Sequence, residues 1–222
     1  KNKTTTWMDS CRITVDGLGF VTATIHTTSS GQGHETLAAT VIGEVLEIDP
    51  DLIRIVRPDS LNSLPSNTPV GSRMAIMLGG AAFHAAQKMK AKIVRLAAHQ
   101  FGCGESEVAY AGGAVSHAAS GSRLAWAELV NIAHRNYHLL PEGMEPGLET
   151  THVMQVPTGT GLPQDDRVQM YPCHSFEFHL VLIAFDPVIG KPRIRRYVIG
   201  HDCGTVINPQ IVKGVTLGGI AH

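Results

Sequence analysis

The stretch Phe20-Val21-Thr22-Ala23-Thr24-Ile25-His26-Thr27-Thr28-Ser29-Ser30-Gly31-Gln32-Gly33-His34-Glu35-Thr36-Leu37 decides how this chain folds. From Phe20 to Thr27 apolar and polar residues alternate. Val21, Ala23 and Ile25 fall on one side, Thr22, Thr24 and His26 on the other. A period of two is the mark of a strand with one buried face. After Gly33 the period changes. Leu37, Val41, Val45 and Ile48 recur at helical spacing, and Asp49-Pro50 stops the run. The loop between them, Ser29-Ser30-Gly31-Gln32-Gly33, has two glycines that let backbone N–H groups approach a ligand. The helix start that follows favours an anion. No Gly-Lys-Ser/Thr follows, so this is not a Walker loop, and the third glycine of a dinucleotide fingerprint is missing. Taken alone, the loop reads first as a structural turn.

Upstream, Val15-Asp16-Gly17-Leu18-Gly19 predicts a strand end and a hairpin turn. Downstream, Ile53–Val56 predicts a short strand and 59–70 a polar loop. A long helix is expected over 72–101, with Met74, Leu78, Ala81, Ala85, Met89, Ile93 and Leu96 on one face. Gly79 and Gly80 each cost this helix about 1 kcal/mol relative to alanine, which suggests close approach by another element, with a simple small-residue packing seam an equal alternative. Its start, Gly71-Ser72-Arg73, is a second helix N-terminus, with a hydroxyl and a guanidinium. The plainer alternative makes Ser72 an N-cap and Arg73 a solvated charge. A hairpin over 107–115 turning at Gly112-Gly113, a helix over 124–134 and loops over 136–150 and 157–167 come next. Phe176–Phe185 predicts an apolar strand, with Arg193–Gly200 as its hairpin partner, and a last helix begins at Asn208-Pro209. The order is α+β, a mixed α/β chain rather than a regular βαβ array.

Composition narrows the function. The 222 residues are 43% hydrophobic and 17% charged with a net charge of −1, which permits a sizeable core and gives no basic nucleic-acid footprint. No apolar run is long enough to span a membrane. Four scattered cysteines, Cys11, Cys103, Cys173 and Cys203, form no C-x-x-C pair. Free thiols in a reducing, cytoplasmic compartment are the default, and no iron–sulfur ligand set is expected on this chain. His201 and Cys203, with Cys173 and His174, could be imagined as a zinc site, against the plainer reading of a buried thiol and a satisfied histidine. No G-x-S-x-G elbow supports a hydrolase.

In their order along the chain, three segments resemble the molybdenum-binding large subunit of the xanthine oxidase family. They are Ser30-Gly31-Gln32-Gly33-His34, then Asn67-Thr68-Pro69-Val70-Gly71-Ser72-Arg73, then His201-Asp202-Cys203-Gly204-Thr205-Val206-Ile207-Asn208-Pro209 with Gly218-Gly219-Ile220-Ala221-His222. The resemblance implies that residues 1–222 are part of the second molybdopterin-binding domain, with the first half and the catalytic-glutamate segment absent. It implies a fragment or split subunit that is inactive alone. The cofactor would be molybdopterin with molybdenum, usually the cytosine dinucleotide form in bacterial members. Ser30, Gly31, Gln32, Gly33, Ser72, Arg73, Met74 and His222 would be the cofactor-binding set. His222 is the weakest of these, because the family often has glutamine there. The segment from His201 to Pro209 would be architectural.

The implied reaction is oxidation of a small carbon substrate with water as oxygen source, with a glutamate base. Electrons leave through iron–sulfur clusters and FAD on other subunits. Neither Gly43-Glu44 nor Gly104-Glu105 lies where the family places that glutamate, so no catalytic residue is assigned. The expected partners are the other half of the molybdenum subunit, the iron–sulfur and flavin subunits and a small-molecule substrate. A non-catalytic scaffold of the same fold is the alternative.

Overall fold

A computed structural model describes residues 8–57, 59, 61–64, 66, 69, 71–155 and 174–221. The chain divides into two compact units, residues 1–157 and 158–222.

The first unit is a four-stranded sheet covered by two helices. Strands β1 (Met8–Val15) and β2 (Val21–Ile25) form the expected hairpin, with Cys11 opposite Ile25, Ile13 opposite Ala23 and Val15 opposite Val21. Those six side chains are all buried, so the period of two places two facing apolar rows against the helices. Helix α1 (His34–Leu46) carries the chain to β3 (Ile53–Val56), which pairs parallel with β2. One βαβ unit is thus set inside an otherwise antiparallel sheet of order β3-β2-β1-β7.

On α1 the most deeply buried row is Ala38, Ile42, Val45 and Leu46, not the expected Leu37–Val41–Val45–Ile48 face. Leu37 lies instead toward the long helix α2 (Met74–Phe101), where a Cβ on Gly79 would stand 3.8 Å from its methyl group. Helix α1 stops at Leu46 because Glu47 turns left-handed (φ 52°), before Asp49-Pro50 is reached.

All seven apolar positions expected on α2 are buried. Its glycines mark a close approach, since a Cβ on Gly80 would stand 3.1 Å from Met154. Met154 belongs to β7 (Leu148–Gln155), which pairs with β1. The sequence reading has a loop running through the start of β7. Here Thr150 and His152 take the inward positions, opposite Ile13 and Cys11, so no apolar alternation marks the strand. Thr150 satisfies its hydroxyl by donating to the Ala85 carbonyl at 2.9 Å.

A small sheet of β4 (Val108–Ala111), β5 (Ala114–His117) and β6 (Ser122–Leu124) follows α2, turning at Gly112-Gly113 as expected. Helix α3 (Trp126–Arg135) completes the unit.

The second unit is the hairpin β8 (Phe176–Phe185) and β9 (Pro192–Asp202) with helix α4 (Pro209–Ala221). Asn208 caps α4, its side-chain oxygen accepting from the Gln210 and Ile211 N–H groups, with proline in the first turn. The loop expected over 157–167 and residue His222 lie outside the described residues.

Gly43 tests the helix–turn contact. A Cβ there would lie 2.9 Å from the Ile48 carbonyl oxygen and 2.9 Å from Pro50. Backbone and a proline ring cannot yield as the Met154 side chain can. Gly43→Ala is therefore expected to destabilise by about 1–3 kcal/mol, more than the ~1 kcal/mol of helix propensity it gains. Gly80→Ala is expected to be close to neutral. Denaturant midpoints of both variants check the contrast.

Candidate functional site

Among the described residues, six polar or charged residues are buried: Asp9, Ser10, His26, Thr27, His34 and Arg73. The topology brings them to one end of the first unit. Asp9 and Ser10 lie near the start of β1, and His26 and Thr27 directly follow β2. Because β1 and β2 run antiparallel with Cys11 opposite Ile25, these two ends are neighbours. His34 is the first residue of α1 and Arg73 immediately precedes α2. The contact of Leu37 with the second turn of α2 brings the two helix starts together. The C-terminal ends of parallel strands, facing helix N-termini, are where open α/β sheets bind ligands.

The local backbone suits an anion. Gly31 (φ 101°) and Gly33 (φ 76°) are left-handed, and a Cβ on Gly31 would meet nothing within 4 Å. Gly33 caps α1 without a side-chain hydrogen bond, and α2 likewise starts without one. The N-cap residues thus satisfy no first-turn N–H group through a side chain, while the Glu35 N–H is accepted by its own carboxylate. Gln32 Oε1 accepts the Ser30 N–H inside the loop, which leaves the Gln32 amide N–H groups as donors toward a ligand. His34 Nδ1, 3.2 Å from the Thr28 carbonyl, braces the two ends of the loop.

At the second start, Gly71 (φ 70°) and Ser72 (φ 50°) are both left-handed, while Arg73 is right-handed (φ −98°, ψ −7°). Such a reversal of hand turns successive N–H groups to one side. A serine at positive φ is a strained backbone, and such strain gathers at ligand sites. The N-cap alternative fails on both counts: the cap position is Arg73, not Ser72, and Arg73 is only 4% exposed. Met74 packs in the hydrophobic core, so it can serve a ligand only through its backbone.

Charges surround these starts. Burial opposes ionisation of Glu35 in the first turn of α1. Its own N–H and the Arg57 guanidinium, 2.7 Å away, outweigh that and hold its carboxyl below the ordinary glutamate range. His26 Nδ1 accepts the Leu64 N–H at 2.9 Å, so its proton sits on Nε2. Burial, with Arg12 nearby, lowers its pKa and keeps it neutral. Asp9 is 1% exposed. Burial lifts its pKa to about 6 against the opposing pull of the Ser10 N–H, Ser66 and Arg73.

The family model of the molybdopterin cofactor-binding domain matches residues 1–222. The chain belongs to that family. Over 214 residues the domain is 31% identical to the carbon monoxide dehydrogenase large chain of Hydrogenophaga pseudoflava, covering 96% of this chain and 25% of the relative. It is 30% identical to the nicotine 6-hydroxylase large subunit of Paenarthrobacter nicotinovorans over 215 residues, again 96% and 25%. Quinoline 2-oxidoreductase from Pseudomonas putida 86 superposes with a TM-score of 0.82 at 28% identity, covering 98% of the domain and 26% of that chain. The domain spans about a quarter of the length of the curated relatives it matches.

Of the expected site residues, the molybdopterin-binding domain gathers Ser30, Gly31, Gln32, Gly33, Ser72 and Arg73 at its two helix starts, while His222 lies outside the described residues. Sequence reasoning gave Asp9 and His26 no role and named His34 only as the end of the glycine-loop motif. The available signals were a histidine directly after the glycine loop and two polar residues, Asp9 and Ser10, beside the apolar run of β1.

The zinc reading of His201 and Cys203 gains nothing. His201 Nδ1 is paired with Glu177 at 2.7 Å, and Cys173 lies outside the described residues. Among the described residues, neither His201 nor Cys203 belongs to a three-ligand cluster. Glu44 is exposed on α1 and Glu105 is exposed in a 3-10 turn, away from the buried polar end. No helix among the described residues is long and apolar enough to cross a membrane.

The raised pKa of Asp9 has a sign that can be measured. The folded carboxyl holds its proton more tightly than the unfolded one. Its favourable contribution is therefore complete below the unfolded value of 3.8 and is lost as pH rises through about 6. Asp9→Asn is expected to flatten stability over this window and to raise it at pH 7, by on the order of 2–3 kcal/mol. Urea unfolding from pH 4 to 7 at fixed cofactor occupancy reads this. An unchanged pH slope would contradict it.

Proposed function

We propose that the two helix starts, Ser30–Gly33 with α1 and Ser72–Arg73 with α2, hold the phosphate-bearing part of molybdopterin within a larger oxidoreductase. The observation that carries this reading is the pair of adjoining helix N-termini, each left-handed at its entry and each without a side-chain cap. Gly31 and Gly33 allow the ligand to approach the backbone. Gln32 contributes amide donors, Ser72 a hydroxyl, and buried Arg73 a fixed positive charge at the start of α2. His34 and His26 hold the loops that present these groups. A dinucleotide form carries two linked phosphates, and two neighbouring donor ends match that better than they match one phosphate. We therefore favour a dinucleotide form, with the cytosine base taken from the family resemblance alone.

When bound, the molybdenum–pterin group supplies the redox chemistry by which a small carbon substrate is oxidised with water as oxygen source. No residue of this stretch is assigned a catalytic role. The general base, the rest of the molybdenum subunit, and the iron–sulfur and FAD subunits complete the assembly, in keeping with relatives described as large chains or large subunits.

Gln32→Ala combined with Ser72→Ala in the assembled enzyme is expected to lower molybdenum content and the pterin and nucleotide released on acid treatment by the same factor, tenfold or more. Ser72→Gly, which removes the hydroxyl and relieves the left-handed backbone, separates the loss of a ligand contact from a folding defect. Full occupancy in the double variant would remove the binding roles proposed for Gln32 and Ser72.

A further inference from the structure

The far end of α2 carries a second set of donor side chains. Cys103 follows Gly102, the left-handed cap of α2. Glu107 closes the 3-10 turn Glu105–Glu107, and His117 ends β5. One donor atom from each lies within 4.8 Å of the others. The local fold explains their meeting. Val108 pairs with His117 in the β4–β5 register, so Glu107 arrives beside His117. The turn from Gly104 to Glu107 then folds back on Cys103.

Each ligand is already steadied. Glu107 Oε2 accepts the Gly104 N–H at 2.7 Å, and that bond does not engage Oε1. His117 Nδ1 is 2.8 Å from Ser120 Oγ. That hydroxyl also lies 2.8 Å from Ser122 Oγ and accepts the Ser122 N–H. With the imidazole proton on Nδ1 donated to that hydroxyl, the lone pair of Nε2 serves a cation. The Phe101 ring stacks on the imidazole at 6.3 Å between centroids and 18° between planes. Cys103 is a free, half-buried thiol. Side chains held from behind in this way are typical of metal ligands.

We propose that Cys103, Glu107 and His117 bind a divalent cation of the zinc type, with water in the fourth position. A sulfur, nitrogen and oxygen donor set selects zinc over magnesium or calcium, which take oxygen ligands. Bond lengths of about 2.0–2.3 Å place tetrahedral ligand atoms roughly 3.3–3.7 Å apart, so the trio needs to close by only about an ångström. Binding converts the Cys103 thiol to a thiolate and releases its proton to solvent, with no change of oxidation state. The role is structural. The 28 residues of α2 span about 40 Å at 1.5 Å per residue, so this cluster is remote from the helix start at Ser72. A cation here fastens the β4–β5–β6 sheet to the end of the helix that leads into it.

The test uses the full-length protein, treated with chelator, dialysed against zinc sulfate and measured by elemental mass spectrometry. Wild type is expected to hold one zinc per chain more than Cys103→Ser or His117→Gln, with one sulfur in the zinc X-ray absorption shell. Ser120→Ala touches no ligand atom of the cation. It is expected to weaken zinc binding ten- to a hundredfold without abolishing it, which keeps the test decisive should a ligand variant fail to fold. No zinc on wild type, equal zinc on wild type and both ligand variants, or a shell without sulfur would overturn the proposal.

Discussion

Everything in the first unit depends on how closely α2 can lie against its neighbours. Gly79 and Gly80 admit Leu37 from α1 and Met154 from β7. The alanines that follow, Ala81, Ala82, Ala85 and Ala86, are fully buried. A helix with a small-residue face sits deep, and in a close-packed interior its axial position is fixed once the large neighbours are seated. That position sets both ends. At one end it delivers Ser72 and Arg73 beside the α1 start. At the other it delivers Cys103 to Glu107 and His117.

The second constraint is electrostatic. Two helix starts lacking side-chain caps share the polar end with Arg73 and Arg57, and against them stand Glu35 and Asp9. A site designed only for rigidity would cap these helices with serine or aspartate side chains, each contributing about 1 kcal/mol. On the function proposed above, the stability forgone at these N-caps is the cost of presenting N–H groups to a ligand. Asp9, protonated or charged according to pH, tempers the charge of Arg73, whereas His26 stays neutral with its Nδ1 committed to the backbone of Leu64.

Legibility from the sequence follows the same division. The β1–β2 hairpin, the apolar row of α2, the Gly112-Gly113 turn, the β8–β9 hairpin and the Asn208-Pro209 helix start were all readable, because each rests on local periodicity or turn chemistry. Strand β7 was not, because Thr150 and His152 stand between Leu148 and Met154 in its inward row and break the apolar alternation. The buried row of α1 was rotated from the expected one because Leu37 and Val41 serve the border of the helix pair, and a single-helix pattern cannot tell a neighbouring helix from a sheet. The candidate site was readable as two glycine-bearing helix starts. Its floor was not, since Asp9, His26 and His34 come from three separate elements that only the register of β1 and β2 brings together.

The places where local rules break are themselves informative. Ser72 takes a left-handed conformation that glycine would take more easily, and Arg73 is buried where a surface charge is expected. Asp9 keeps a carboxyl where water is excluded, and two helices begin uncapped. Away from this end, Glu47 at the C-cap of α1 is the other non-glycine residue at positive φ among the described residues. Departures of this kind are tolerated where binding repays them. Their concentration at one end of one sheet is a stronger pointer to a ligand than the glycine loop, which taken alone is no more than a turn. The site proposed for the loop depends on α2, seated by Gly79 and Gly80, presenting a second helix start next to it.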